Sequence, residues 1–140
     1  QGKLEWLARS GRAMVTGGLA AVKGGWNDPG DEYLYEIHGR YFATVPGEFF
    51  FSGHTHVQVL ARFDRKTYCN PGSVGQPRDG DPRAAYALYD QGNVLLRRVP
   101  YEIDRIAFEM RKVGFEPYYY DNLYSGHRIG GKLSRVTIDA

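Results

Sequence analysis

Gly53-His54-Thr55-His56 is the segment of this sequence whose side chains and spacing could do chemistry. Imidazole is the commonest protein ligand for zinc, iron, manganese and similar ions. In an extended segment, residues two apart point to the same side, so both rings are expected together at the end of the apolar run Phe49-Phe50-Phe51. A strand end opening onto a loop is both rigid and accessible, which suits a bound ion. The spacing by itself leaves two readings open: a pair of metal ligands, or a solvated or hydrogen-bonded pair on a strand edge. Thr55 is expected on the opposite face, packing or hydrogen-bonding. Gly53 reads as a close backbone turn beside the site or simply as the strand terminator.

The elements that must position this pair are legible from glycine and proline punctuation. Arg12–Thr16 and Leu19–Lys23 flank Gly17-Gly18, a two-residue link suited to a tight hairpin. The glycine- and proline-dense stretch from Gly24 to Gly30 breaks regular structure. A helix is expected over Asp31–His38, with Asp31 as N-cap and Tyr33, Leu34 and Ile37 on its apolar face. Phe49–Phe51 reads as a strand buried on both faces. Gln58–Phe63 and Lys66–Asn70 form a hairpin across Asp64-Arg65, and Asn70-Pro71-Gly72-Ser73 halts it. Gln76–Arg83 is expected as an exposed loop, and Ala84–Asp90 pairs with Asn93–Tyr101 across Gln91-Gly92, giving a meander. The period then turns helical at Lys3–Arg9, Asp104–Val113 and Pro117–Tyr124.

Composition narrows the function classes. The chain has 140 residues, 18 Lys and Arg against 16 Asp and Glu, and a formal net charge of +2, consistent with one soluble domain. Arg62, Arg65 and Lys66 share their segment with Asp64, and Arg97-Arg98 precede Glu102 and Asp104, so no basic face of the kind a dedicated nucleic-acid binder needs is expected. No apolar run reaches the ~18 residues of a membrane span and no charged-then-apolar leader opens the sequence, which points to the cytoplasm. Cys69 alone cannot make an internal disulfide or a four-cysteine zinc site and reads as a small buried hydrophobe.

FFFSGHTHVQ followed by YCNPGSVGQPRDGDPRAAYALYD resembles the later part of the calcineurin-like metallophosphoesterases, in their small bacterial and archaeal phosphodiesterase branch. GGWNDPGDEYLY, RVPYEIDR and LYSGHRIG extend the resemblance over nearly the whole chain. It implies an α/β fold, a β-sandwich flanked by helices in four layers, with metals at loop ends on one rim. It implies two divalent ions in the complete enzyme, with manganese, iron, zinc, nickel and magnesium all admissible. His54 would bind one ion and His56 the other, and a metal-activated hydroxide would attack a phosphate ester. Asn70 and Gly72 could shape the rim and Arg78 could meet an anionic substrate, though an ordinary Asn-Pro-Gly turn and a solvated arginine are the favoured readings.

The same resemblance implies ligands that this sequence lacks. The family builds its centre from an Asp-x-His, a bridging Gly-Asp, a Gly-Asn-His, a lone His-Gly and the Gly-His-x-His pair; no Asp-x-His or Gly-Asn-His occurs here. Residues 1–140 are therefore expected to be the C-terminal, strand-rich portion of one such domain, inactive alone, with Gln1 falling partway through a longer polypeptide or its other half on a separate chain. Lys23 aligns with the lone histidine. It reads as a lost ligand, a partner for substrate phosphate, a change introduced into the chain, or a strand-end lysine reaching water. The alternative function is a phosphoesterase-like scaffold without catalysis that binds proteins, motivated by Lys23 and by 14% aromatic content.

Overall fold

A computed structural model describes Gly11 and residues 13–139. The helix expected over Lys3–Arg9 lies outside the described residues. Among the described residues, nine strands form three sheets: β1 (Ala13–Thr16), β2 (Leu19–Val22), β3 (Glu36–His38), β4 (Phe49–Phe51), β5 (Gln58–Phe63), β6 (Lys66–Pro71), β7 (Ala84–Asp90), β8 (Asn93–Val99) and β9 (Thr137–Asp139). Helix α1 spans Ile103–Lys112 and a single turn, α2, spans Asn122–Ser125. The architecture is mixed α/β and strand-rich, as expected, and among the described residues no helix is long and apolar enough to cross a membrane.

The principal sheet runs β1-β2-β4-β6-β5, with β2, β4 and β6 mutually parallel and β1 and β5 antiparallel at its edges. This differs from a simple meander. Hairpins β1–β2, β5–β6 and β7–β8 form as the turn residues predict, and Gly17 (φ 53°) with Gly18 (φ 81°) and Gln91 (φ 45°) with Gly92 (φ 86°) supply the left-handed pairs that tight hairpins demand. The parallel pairing of β2, β4 and β6 has no local signal, because parallel partners are joined by long crossovers whose own sequence does not name the partner.

Register sets the core. Ala20, Phe50, Tyr68 and Ala61 lie side by side across four strands on one face, the two rings at the centre flanked by alanines. Phe42, from a 3-10 turn at Gly39–Phe42, seals that row; its ring lies 5.0 Å from Phe50, 5.3 Å from Tyr68 and 5.5 Å from Trp26. Leu34 and Ile37 complete the cluster. On the opposite face Phe49 and Phe51 pack under Tyr89 of the β7–β8 hairpin at 5.0 and 5.9 Å. The triple-Phe strand is thus covered on both sides. A second, small cluster joins Ala107 of α1 to Tyr120 and Leu123.

The segment 31–38 is not a helix. Tyr33 and Tyr35 stack on each other at 5.7 Å with nearly parallel rings, a period-two relation, and Glu36–His38 instead pairs in parallel with Thr137–Asp139. Leu34 and Ile37 are buried, so three-residue spacing of apolar residues was satisfied by an extended chain with a bend, and the pairing with β9, a hundred residues away, decided the conformation. Truncation of Phe50, which is wholly buried at the centre of the row, is expected to cost about 3–5 kcal/mol. Urea unfolding of Phe50→Ala checks this, and a loss under about 1 kcal/mol would contradict the packing described.

Candidate metal-binding turn

Three parallel strands end on one rim, and the candidate residues follow each of them. Lys23 follows β2, Gly53-His54-Thr55-His56 follows β4, and Gly72 and Ser73 follow β6. Crevices outside the carboxyl ends of parallel strands are where such sheets bind ligands. The register Ala21, Phe51, Cys69 holds the strand ends level, so the three loops emerge side by side.

The histidine segment is not extended. His54 has φ 68° and His56 φ 59°, both left-handed, a conformation that costs an L-residue about 1–2 kcal/mol. The Thr55 N–H donates to the Gly53 carbonyl at 2.8 Å, closing a three-residue turn around His54. The rings are therefore placed by two backbone reversals and not by strand alternation.

A buried amide holds these reversals. Asn70 is 1% exposed, and its Nδ2 donates to the Gly53 carbonyl at 2.8 Å and to Thr55 Oγ1 at 2.9 Å, while its Oδ1 accepts from the Gly72 N–H at 3.0 Å. Thr55 is fully buried, and its hydroxyl also accepts from the Val57 N–H at 3.3 Å. Asn70 thus lies beneath the turn and does not stand on a rim. Gly53 donates its N–H to the Lys23 carbonyl at 3.0 Å; a Cβ there would sit at an ordinary 3.5 Å from that oxygen, so steric demand does not explain this glycine.

Each imidazole has a defined neighbour. His56 donates from Nδ1 to the Gln76 carbonyl at 2.8 Å, which fixes its neutral tautomer and leaves Nε2 as the lone-pair nitrogen. His54 is stacked under Tyr33 at 3.7 Å, and its Nε2 lies 3.4 Å from Lys23 Nζ. Burial pushes the His54 pKa below the usual histidine value, Lys23 adds to the effect, and Asp31 opposes it. Burial also lowers His56, against the Gln76 hydrogen bond and with help from Arg78. Both shifts favour the neutral ring; His56 Nε2 keeps a free lone pair, whereas His54 Nε2 faces the Lys23 ammonium.

The loop over Gln76–Arg83 is pinned, not free. Arg78 donates its N–H to the His56 carbonyl at 3.0 Å and accepts from the Ser134 N–H at 2.7 Å, and Pro77 is buried. Asp79 pairs with Arg98 at 2.5 Å and accepts from the Gln58 N–H at 2.9 Å. The Arg83 guanidinium holds the Asp81 carboxyl down to about 2, below the usual carboxylate range. A shallow cavity of about 290 Å³ is lined by Lys23, Phe51, Gly53, His54 and Pro71, with His56 outside it. Burial pushes the Cys69 thiol up to about 12, so it is unreactive.

The donor set fits a divalent ion only in part. His56 Nε2 is a pre-oriented ligand, but no group of three His, Cys, Asp or Glu among the described residues is arranged to hold a metal. Asp28 Oδ1 is engaged by the Gly30 and Asp31 N–H groups, and Asp31 Oδ1 lies 3.3 Å from Lys23 Nζ. Two neutral imidazoles do not offset the charge of two divalent ions, and an ammonium stands at one of them. Among the described residues no two-ion centre is assembled. Tyr33 over His54 has no local signal, because its spacing with Leu34 and Ile37 reads as a helix face, and Gln76 has none because it acts through its backbone carbonyl.

Asn70→Ala is expected to cost about 1–3 kcal/mol by orphaning the Gly72 N–H and removing the amide donor to the Gly53 carbonyl and the Thr55 hydroxyl; urea unfolding measures it, and the His54 and His56 ring resonances should move together. The lowered imidazole pKa values set a second expectation. As pH falls through about 6.5, the unfolded chain takes up protons before the folded one, so stability present above that range is lost below it. Denaturation midpoints between pH 7.5 and 5 should fall, and His56→Gln should flatten the slope.

Residues 13–93 match the calcineurin-like phosphoesterase superfamily domain. An uncharacterised protein of Methanocaldococcus jannaschii is 31% identical over 81 aligned residues, covering 47% of this chain and 31% of that protein. The structure superposes on a metallophosphoesterase from Sphaerobacter thermophilus with a TM-score of 0.80 and 30% identity, covering 88% of this chain and 62% of that one. It also superposes on a hypothetical protein from Pyrococcus horikoshii with a TM-score of 0.73 and 19% identity, covering 89% and 54%, a likeness of fold. The chain thus spans about a third of the curated relative it matches and a little over half of the two solved chains. With the parallel-strand rim and the Gly-His-Thr-His turn in place, the chain belongs to the calcineurin-like phosphoesterase superfamily.

Proposed function

We propose that this chain supplies the histidine-bearing part of a metal-dependent phosphoesterase, hydrolysing phosphodiesters or phosphomonoesters, and that it is inactive unless joined by further ligands. The observation that carries this reading is the His56 ring, held neutral by burial and oriented by the Gln76 carbonyl so that Nε2 is free to bind an ion. Members of the family generally use divalent metal ions, and imidazole suits several of them. Carboxylates to balance the ionic charge come, in this reading, from residues outside this sequence, on the same polypeptide or on a second chain.

The chain's own groups have definite parts in it. Asn70 and Thr55 hold the turn, and Gln76 fixes the His56 tautomer. Arg78 and Lys23 place positive charge near both rings, favouring an anionic phosphate ester over a neutral substrate. The test is hydrolysis of bis-p-nitrophenyl phosphate with manganese. The 140-residue chain alone should show no metal-dependent turnover, whereas a longer polypeptide containing it should, and His56→Ala in the latter should lower turnover by at least about 100-fold. Unchanged turnover in that variant would overturn the ligand role of His56, and robust turnover by the chain alone would overturn its need for outside ligands.

A further inference from the structure

The Lys23 side chain is about half exposed, but its ammonium also meets three acceptors of the protein. Its Nζ donates to the Gly30 carbonyl at 2.5 Å, with Asp31 Oδ1 at 3.3 Å and His54 Nε2 at 3.4 Å. An ammonium has three N–H groups, and these three acceptors engage all of them. The neutral His54 ring can accept at Nε2 only with its proton on Nδ1, so the contact also sets the tautomer.

Neighbouring groups restrain this partly exposed contact. The Gly53 N–H bonded to the Lys23 carbonyl ties the two strand ends together, and Tyr33 stacked on His54 restricts the ring. The loop that delivers Gly30 and Asp31 has bonds of its own: Gly24 N–H to the Pro29 carbonyl at 2.9 Å, and Glu32 Oε2 accepting from Tyr41 at 2.5 Å and from the Asn27 N–H at 3.0 Å. A carbonyl, a carboxylate and an imidazole converge on one positive point. Such a set of oxygen and nitrogen donors also suits a divalent ion, but an ammonium already occupies the centre and uses the lone pair.

We propose that Lys23 is a built-in cation that withholds His54 from metal coordination, so that the chain engages a divalent ion through His56 while His54 stays bound to the ammonium. The inference rests on the metal-dependent reading above and narrows it: the position at His54 is an ammonium site, and the two histidines of one motif have different duties. It also removes Lys23 from direct phosphate contact in this arrangement, since its donors are already engaged.

A zinc titration of the whole chain, followed by the ring carbon and proton resonances of His54 and His56, tests it. Assignments come from His54→Ala and His56→Ala. In the unmodified chain His56 should respond at zinc concentrations about tenfold or more below those that move His54. Lys23→Met keeps the stem and removes the charge, and it should bring the two midpoints to within about twofold. Lys23→Ala provides a second such variant should Met pack differently, and Lys23→Arg should keep the lag. Concerted shifts of both rings in the unmodified chain, unaltered in Lys23→Met, would overturn the inference and leave the phosphoesterase reading standing. Silence of both rings up to millimolar zinc in every variant would also overturn the inference, since His56 would then engage no ion in this chain, and would leave standing the phosphoesterase reading, which draws on ligands outside this sequence.

Discussion

One buried amide carries this site. Two left-handed histidines separated by a single threonine are unfavourable in an isolated peptide, and they persist because surrounding bonds over-determine them. Asn70 supplies those bonds from the neighbouring parallel strand, with a donor to each of two oxygens in the turn and an acceptor for the backbone beyond its own strand. The amide is itself fixed because Tyr68 and Cys69, just before it, are locked in the core. The chain of cause thus runs from an apolar row across the sheet, through one polar side chain at its end, to the orientation of two rings.

The candidate site residues accordingly divide by what they do in the turn. His56 presents a nitrogen, and Gln76 sets which nitrogen that is. His54 lies between Tyr33 and Lys23 and is held by both. Arg98, Asp79 and Gln58 form a half-buried polar knot that pins the 76–83 loop against the sheet and so keeps the Gln76 carbonyl in place. Buried ion pairs add little net stability over an apolar replacement, so the worth of this knot is in fixing a loop that has no regular structure.

Much of this was legible in the residues. Glycine-bearing links placed two hairpins, the triple-Phe run marked a strand covered on both faces, and the histidine pair at its end marked the candidate site. Other features depended on distant partners. The parallel order β2-β4-β6 is set by packing across long crossovers, the 31–38 segment follows β9 and not its own helical spacing, and the left-handed histidines need Asn70, fourteen residues beyond His56. Lys23 could be singled out as unusual, but its three acceptors come from two loops whose meeting is a tertiary event.

The central claim is that the Gly53–His56 turn contributes a metal ligand, His56, to a phosphoesterase centre. Anomalous scattering from crystals grown with manganese, using a polypeptide that contains these residues and the remaining ligands, measures this most directly. The account predicts a peak about 2.0–2.2 Å from His56 Nε2. A map with ordered side chains and no peak beside either imidazole would contradict it.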